Sequence, residues 1–242
     1  MVSAFDAAPQ RSKRHLARAL TPETLYGGPG AGDVDHLEFP LKAKLLGLSL
    51  ALSLAAAPVL AWGPTPLAQK TLRGGQAWAE VLPDTDGAAL IRGAVDIAAP
   101  PSLVWAVMTD CKMAGRFIAD LASCTVLKGD QKLGWDVRDQ FSRGNMFLPD
   151  IHNVVRSEYQ PYSSIRFKKA GGDLQAEDGE WRLEALDGGA HTRVIYINRV
   201  KANILLPAVV VRAGLRGSTP KVLMNLKRES QAAAANGGYR AG

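Results

Sequence analysis

The chain has 242 residues, 47% of them hydrophobic and 21% charged, and a formal charge of +6. That is globular composition, with length for one sizeable core or one domain plus extensions. The basic excess is spread along the chain, and no RNP-like, zinc-finger or helix-turn-helix pattern accompanies it. This excludes nucleic acid as the partner and suits solvated faces, with transient contact to an anionic membrane surface as the one interaction it favours.

Residues 1–40 carry small residues, Pro22 and Pro29, and the run Gly27-Gly28-Pro29-Gly30-Ala31-Gly32, with no apolar period. The Gly-rich run follows no strand and opens no helix, so it is not a phosphate loop. The segment reads as a disordered extension. Residues 41–61 change character abruptly. Lys42 and Lys44 precede a run of apolar and small residues over 45–57, Pro58 breaks it, and Val59-Leu60-Ala61 offers small or branched residues to a signal peptidase. This is the layout of an export signal, displaced by forty residues. It predicts cleavage between Ala61 and Trp62, an effective start near Leu41, and a periplasmic or secreted protein. An uncleaved inner-membrane anchor through residues 45–62 is the alternative.

Residues 62–87 read as a linker with an edge strand at 77–82, followed across Pro83-Asp84-Thr85-Asp86-Gly87 by a strand over 88–97. Pro100-Pro101-Ser102 stops that strand and opens a helix over 102–109. Met113, Phe117 and Leu121 recur at four-residue spacing and predict a second short helix over 113–121. Strands are then expected at 124–128, 134–143, 147–159, 164–169, 179–186 and 193–202, separated by Gly-, Asn- and Pro-containing turns. Ile165 and Phe167 bracket Arg166, and Trp181 and Leu183 bracket Arg182. Trp135, Val137 and Phe141 share a face with Asp139. A sheet with one apolar face needs cover. The amphipathic run over 206–231 supplies it, with Ala208, Val211, Leu215, Val222, Leu223 and Leu226 in one stripe. Gly214, Gly217 and Pro220 interrupt that run, and Ser218 or Thr219 offers a fresh N-cap. The expectation is two helices, at about 207–216 and 219–232, or one kinked helix. Residues 232–242 read as a disordered tail.

The residues Ala99-Pro100-Pro101-Ser102-Leu103-Val104-Trp105, Gly115-Arg116-Phe117-Ile118, Gly179-Glu180-Trp181-Arg182-Leu183 and Thr192-Arg193-Val194-Ile195-Tyr196 occur in this order, followed by Leu206-Pro207. In that order and spacing the chain resembles the SRPBCC (START-like) superfamily over roughly 88–231. That superfamily includes lipid-transport, polyketide cyclase/dehydrase and coenzyme-Q-binding-like members. The resemblance implies an α+β helix-grip fold: a curved antiparallel sheet wrapped around a long C-terminal helix, with two short helices after the first core strand. It also implies a cavity for a hydrophobic small molecule, lined by Trp105, Phe117, Trp135, Phe141, Phe147 and Phe167. Trp181 and Tyr196 on the sheet, and Val211, Leu215 and Leu223 on the helix, complete the expected lining. Plain core packing is the competing reading for each of these side chains.

Cys111 and Cys124 are the chain's two cysteines. In an oxidising compartment they read as one disulfide, and otherwise as two buried thiols. His152 and His191 have no ligand spacing beside them, so neither a metal nor another cofactor is expected. Asp139, Asp150, His152 and Tyr196 are the weak candidates for acid–base chemistry; a solvated strand face for Asp150 and His152, and an ion pair of Asp139 with Arg138 or Arg156, are the stronger structural explanations. The expected function is a non-enzymatic periplasmic carrier of a lipid, quinone or polyketide-like compound. A cyclase/dehydratase-type enzyme and an envelope interaction domain without ligand are the alternatives.

Overall fold

The computed structural model describes residues 62–118, 120–144, 149–203 and 207–239. The expected N-terminal extension and export signal therefore lie outside the described residues, with Trp62 the single position of the cleavage site inside them.

The strands are β1 (Trp78–Pro83), β2 (Ala89–Ile97), β3 (Leu121–Asp130), β4 (Trp135–Ser142), β5 (Ile151–Gln160), β6 (Ser164–Gly172), β7 (Ala176–Leu186) and β8 (His191–Lys201). They form one antiparallel sheet in the order β1-β2-β8-β7-β6-β5-β4-β3. Among the described residues four α-helices accompany it: α1 (Pro66–Arg73), α2 (Pro101–Thr109), α3 (Cys111–Phe117) and α4 (Ala208–Ala235). This is the α+β helix-grip arrangement expected above. The concave face of the sheet carries the core, where Val95, Ile97, Val194 and Leu183 pack on Val104 and Val107 of α2 and on Leu223 and Leu226 of α4.

Three expectations are corrected. Residues 62–87 are not only linker and edge strand, because α1 forms there. Thr65 caps it by accepting from the Ala68 amide at 3.2 Å, Pro66 supplies the first turn, and Leu72 and Ala68 are buried. The helix packs on the convex face of the sheet against Ala94 and Ile195, beside the Trp62–Trp78 stack. Next, α3 ends at Phe117 rather than at 121, because Ile118 is already extended. Finally, the tail is not disordered from 232: α4 runs to Ala235, and the Tyr239 hydroxyl donates to Asp110.

The C-terminal helix is one element through Pro220. The hydroxyls of Ser218 and Thr219, expected to cap a second helix, instead donate back to the Leu215 carbonyl, at 3.4 and 2.7 Å. Back-bonding of this kind bends a helix without ending it. Its depth against the sheet is set at Gly93 of β2, where a Cβ would lie 2.8 Å from the Leu223 methyl.

Cys111 and Cys124 are joined as a disulfide, with Cα atoms 5.4 Å apart, tying α3 to β3. Arg116 of α3 also reaches Glu229 of α4 at 3.7 Å. An intact loop of this length contributes about 3 kcal/mol in the chain-entropy model. The Cys111→Ser/Cys124→Ser double variant is expected to lose that much in urea unfolding. An unchanged midpoint would mean that the polar ties alone hold α3.

Candidate functional site

The alternation of the strands decides which residues meet beneath α4. Paired residues of an antiparallel sheet share a face. Ser157 pairs with Phe167 and Tyr159 with Ile165; Ile165 pairs with Trp181, and Trp181 with Tyr196. These side chains all point to the concave side. Together with Ala114 and Phe117 of α3, Ile118 just beyond it, and Leu215, Thr219, Val222 and Leu223 of α4 they enclose a cavity of about 360 Å³. That size and mostly apolar lining are those of a small-molecule site.

Its floor is aromatic. Trp181 stacks on Tyr196 with centroids 4.1 Å apart, and Phe167 lies 6.3 Å from Tyr196 on the other side. Phe167 reaches this position because its cross-strand partner is Gly179, where a Cβ would come within 2.5 Å of the ring.

Besides neutral side chains such as Gln140, Ser142 and Ser157, two charged groups interrupt the apolar wall. On β4, Asp136 and Arg138 form a buried ion pair at 2.9 Å, and Arg138 also donates to the carbonyl of Thr109, the last residue of α2, at 2.7 Å. Its guanidinium lies over the Tyr159 ring. Arg138 thus acts as a clamp between sheet and helix C-terminus. Burial pushes the Tyr159 phenol well above its ordinary value, with Arg138 opposing and Asp136 adding. The second group is Glu177 of β7, which accepts from the amides of Asn153 and Asn198. Asn198 also donates to the Tyr196 hydroxyl at 2.8 Å. Burial raises the Glu177 carboxyl above the usual carboxylate range; the two amides oppose that, and Asp178 adds to it. Burial likewise raises Tyr196, helped by Glu177.

Of the expected lining residues, Phe117, Phe167, Trp181, Tyr196, Leu215 and Leu223 line the cavity. Four do not. Trp105 is core, edge-on to Tyr159 and Tyr162. Val211 sits on an N-terminal stretch of α4 whose neighbours Val209 and Val210 are exposed. Trp135 and Phe141 lie on the convex side, since β4 turns Arg138, Gln140 and Ser142 inward; Arg156 covers the Trp135 ring at 4.5 Å. Phe147 falls outside the described residues. Asp136, Arg138, Asn153, Glu177 and Asn198 were missed by the sequence reading. A charged residue in a strand looks solvated, and only strand phase reveals that it faces inward.

The acid–base candidates do not converge. Asp139 pairs with His152 at 3.0 Å on the convex face, away from the cavity. Asp150 accepts from the Gly144 amide at an exposed turn. Tyr196 alone reaches the cavity. Among the described residues no cluster of three His, Cys, Asp or Glu side chains suits a metal ion.

The chain belongs to the polyketide cyclase / dehydrase and lipid transport family, whose sequence profile matches residues 97–227. A search of curated protein sequences returns no match. Among solved structures, the chain is similar to the Zhui aromatase/cyclase from Streptomyces sp. R1128, at TM-score 0.54 and 18% identity over 63% of this chain and 99% of that one. It is also similar to a STAR-related lipid transfer protein from Xanthomonas axonopodis, at TM-score 0.51 and 15% identity over 63% and 98%. Human STARD10 matches at TM-score 0.53 and 10% identity over 72% and 82%. At these identities the likeness is one of fold.

Asp139 raises the His152 imidazole above its ordinary value through their hydrogen bond and charge. A raised folded value means that the pair's contribution is complete below the ordinary imidazole range and is lost as pH rises through the folded value. Proton NMR titration is expected to place the His152 midpoint higher than in the Asp139→Asn variant. Equal midpoints would show that the pair does not form in solution.

Proposed function

We propose that this protein binds and carries a hydrophobic small molecule, such as a lipid, quinone or polyketide-like compound, in the periplasm. The observation that carries the reading is the aromatic-floored cavity between sheet and α4. Family membership agrees with it, as do the structural relatives, a lipid transfer protein and an aromatase/cyclase. Export is supported by the expected signal over 41–61 and by the Cys111–Cys124 disulfide, which suits an oxidising compartment. Among the described residues no helix is long and apolar enough to cross a membrane.

An enzyme of cyclase/dehydratase type on the same fold is the second reading, favoured by one feature: a carboxyl with a raised pKa, Glu177, on the cavity wall. Acid–base work needs a partner driven the other way. Tyr196, two bonds along the same network, is instead driven further from neutrality. This supports binding over chemistry.

Native mass spectrometry of protein purified from its own compartment tests the reading and is expected to show a co-purified apolar adduct. Leu215 stands on the helix side of the cavity and is only partly buried, so Leu215→Trp fills space without cutting the core. It is expected to weaken binding of an apolar fluorescent probe by roughly tenfold or more while the protein stays folded. Undiminished probe binding in this variant would place the probe elsewhere and overturn the carrier reading.

A further inference from the structure

The Glu177 end of the cavity is chemically unbalanced. Glu177 stands on β7 beside Val200 of β8 and forms part of the cavity wall. It keeps some solvent-accessible area because it faces that space, while protein atoms enclose its other sides. Among the described residues it makes no ion pair, and the charges acting on it are negative. Arg138, which also lines the cavity, is already committed to Asp136 and the Thr109 carbonyl.

The two amides that hold Glu177 are themselves incomplete. Asn153 and Asn198 both turn their NH₂ groups toward the carboxyl. That orientation leaves Asn153 Oδ1 and Asn198 Oδ1 buried with no donor. Buried acceptors without partners are uncommon and costly. Protonating Glu177 does not cure the deficit. One O–H can serve one amide oxygen, and only if that amide turns and gives up its own donation to the carboxyl. Every arrangement of these three side chains by themselves leaves an acceptor unserved. Tyr196, whose hydroxyl lies 2.8 Å from the Asn198 amide, and Gln140, across from Asn153, can supply neutral donors, but among the described residues nothing supplies Glu177 with positive charge.

We propose that the Glu177 carboxyl, held in place by the Asn153 and Asn198 amides, binds the primary ammonium group of an amphipathic ligand whose apolar body lies over the Phe167–Tyr196–Trp181 floor. This rests on the carrier reading above and specifies its cargo. An ammonium brings the positive charge that the Glu177 carboxyl lacks, together with N–H donors for its oxygens. A hydroxyl brings one donor and no charge, and a carboxylate brings neither. A calcium ion would need six or more oxygen ligands, which this cluster does not offer.

Calorimetric titration of the full chain at neutral pH with decylamine, decanol and decanoate, each below its micelle concentration, tests the assignment. Decylamine is expected to bind roughly ten- to a hundredfold more tightly than decanol, the range for a hydrogen-bonded charge, with decanoate weakest. Glu177→Gln is expected to bring decylamine down to the decanol level. Asp178→Asn, next in sequence but on the opposite face of β7, should keep the amine preference and so separates the site from general acidity. Decanol or decanoate matching decylamine on the unaltered protein would overturn the proposal while leaving the carrier reading intact. An amine preference that survives in Glu177→Gln would also overturn it. Failure of all three to bind would overturn the carrier reading and the proposal with it. The comparison on the unaltered protein stands even if a variant does not fold.

Discussion

One helix cannot cover eight strands, and the rest of the structure follows from how that shortage is met. At about 4.8 Å per strand a flat eight-stranded sheet is roughly 34 Å wide, whereas a helix with its side chains spans about 10 Å. The sheet therefore curls around α4. The helix makes its close approach at the β1–β2 end, where Gly93 admits Leu223 and where Arg216 donates to the Val81 carbonyl at 3.0 Å. Toward β4–β6 it stands off. There α2 and α3 close the gap, packed through Val104, Val107 and Phe117 and fastened further by the disulfide, the Arg138 clamp on Thr109, and the Arg116 and Tyr239 contacts. What remains between them is the cavity. It is a consequence of geometry, and the sequence then decorates it.

The decoration sorts by face. The convex side spends its charges on pairs such as Arg193–Asp96 at 2.7 Å and Arg199–Asp84 at 2.7 Å. These pairs are partly buried and keep the back of the sheet polar. On the concave side the polar residues are few and have separate tasks. Asp136 and Arg138 neutralise each other and fasten α2. Glu177 is given amide donors but no cation, and burial holds its carboxyl above the usual range. A group so placed is costly to keep unless something in the cavity answers it. The fold thus accounts for the space, and the Glu177 cluster accounts for its polarity.

Much of this was legible in the sequence. The order of elements, the faces of β6 and β7 and the pairing partners Cys111 and Cys124 could be read because turn residues and period-two alternation are local signals. The face of β4 was misread for a physical reason. Trp135, Val137 and Phe141 look like an inward stripe, yet the cavity wall at β4 is polar, and an arginine can cover a tryptophan on the outer face as well as a core can. Glu177 was invisible because Ala176-Glu177-Asp178 resembles a solvated strand start. Its role depends on Asn153 and Asn198, which are distant in sequence and brought beside it by the sheet. Pro220 misled in the opposite direction. Its break signal is real, since it leaves the Arg216 carbonyl without an amide donor, but tertiary packing of Leu223 and Leu226 carries the helix through.

The central claim is that cargo sits between the sheet and α4. The five tryptophans report on it from distinct places: Trp181 on the cavity floor, Trp105 in the core, and Trp62, Trp78 and Trp135 on the convex side. Fluorine NMR of protein carrying fluorotryptophan, titrated with decanol, reads them all at once. The account predicts that the Trp181 resonance moves with saturation while those of Trp62 and Trp135 stay fixed. Movement of Trp62 or Trp135 with an unmoved Trp181 would contradict it.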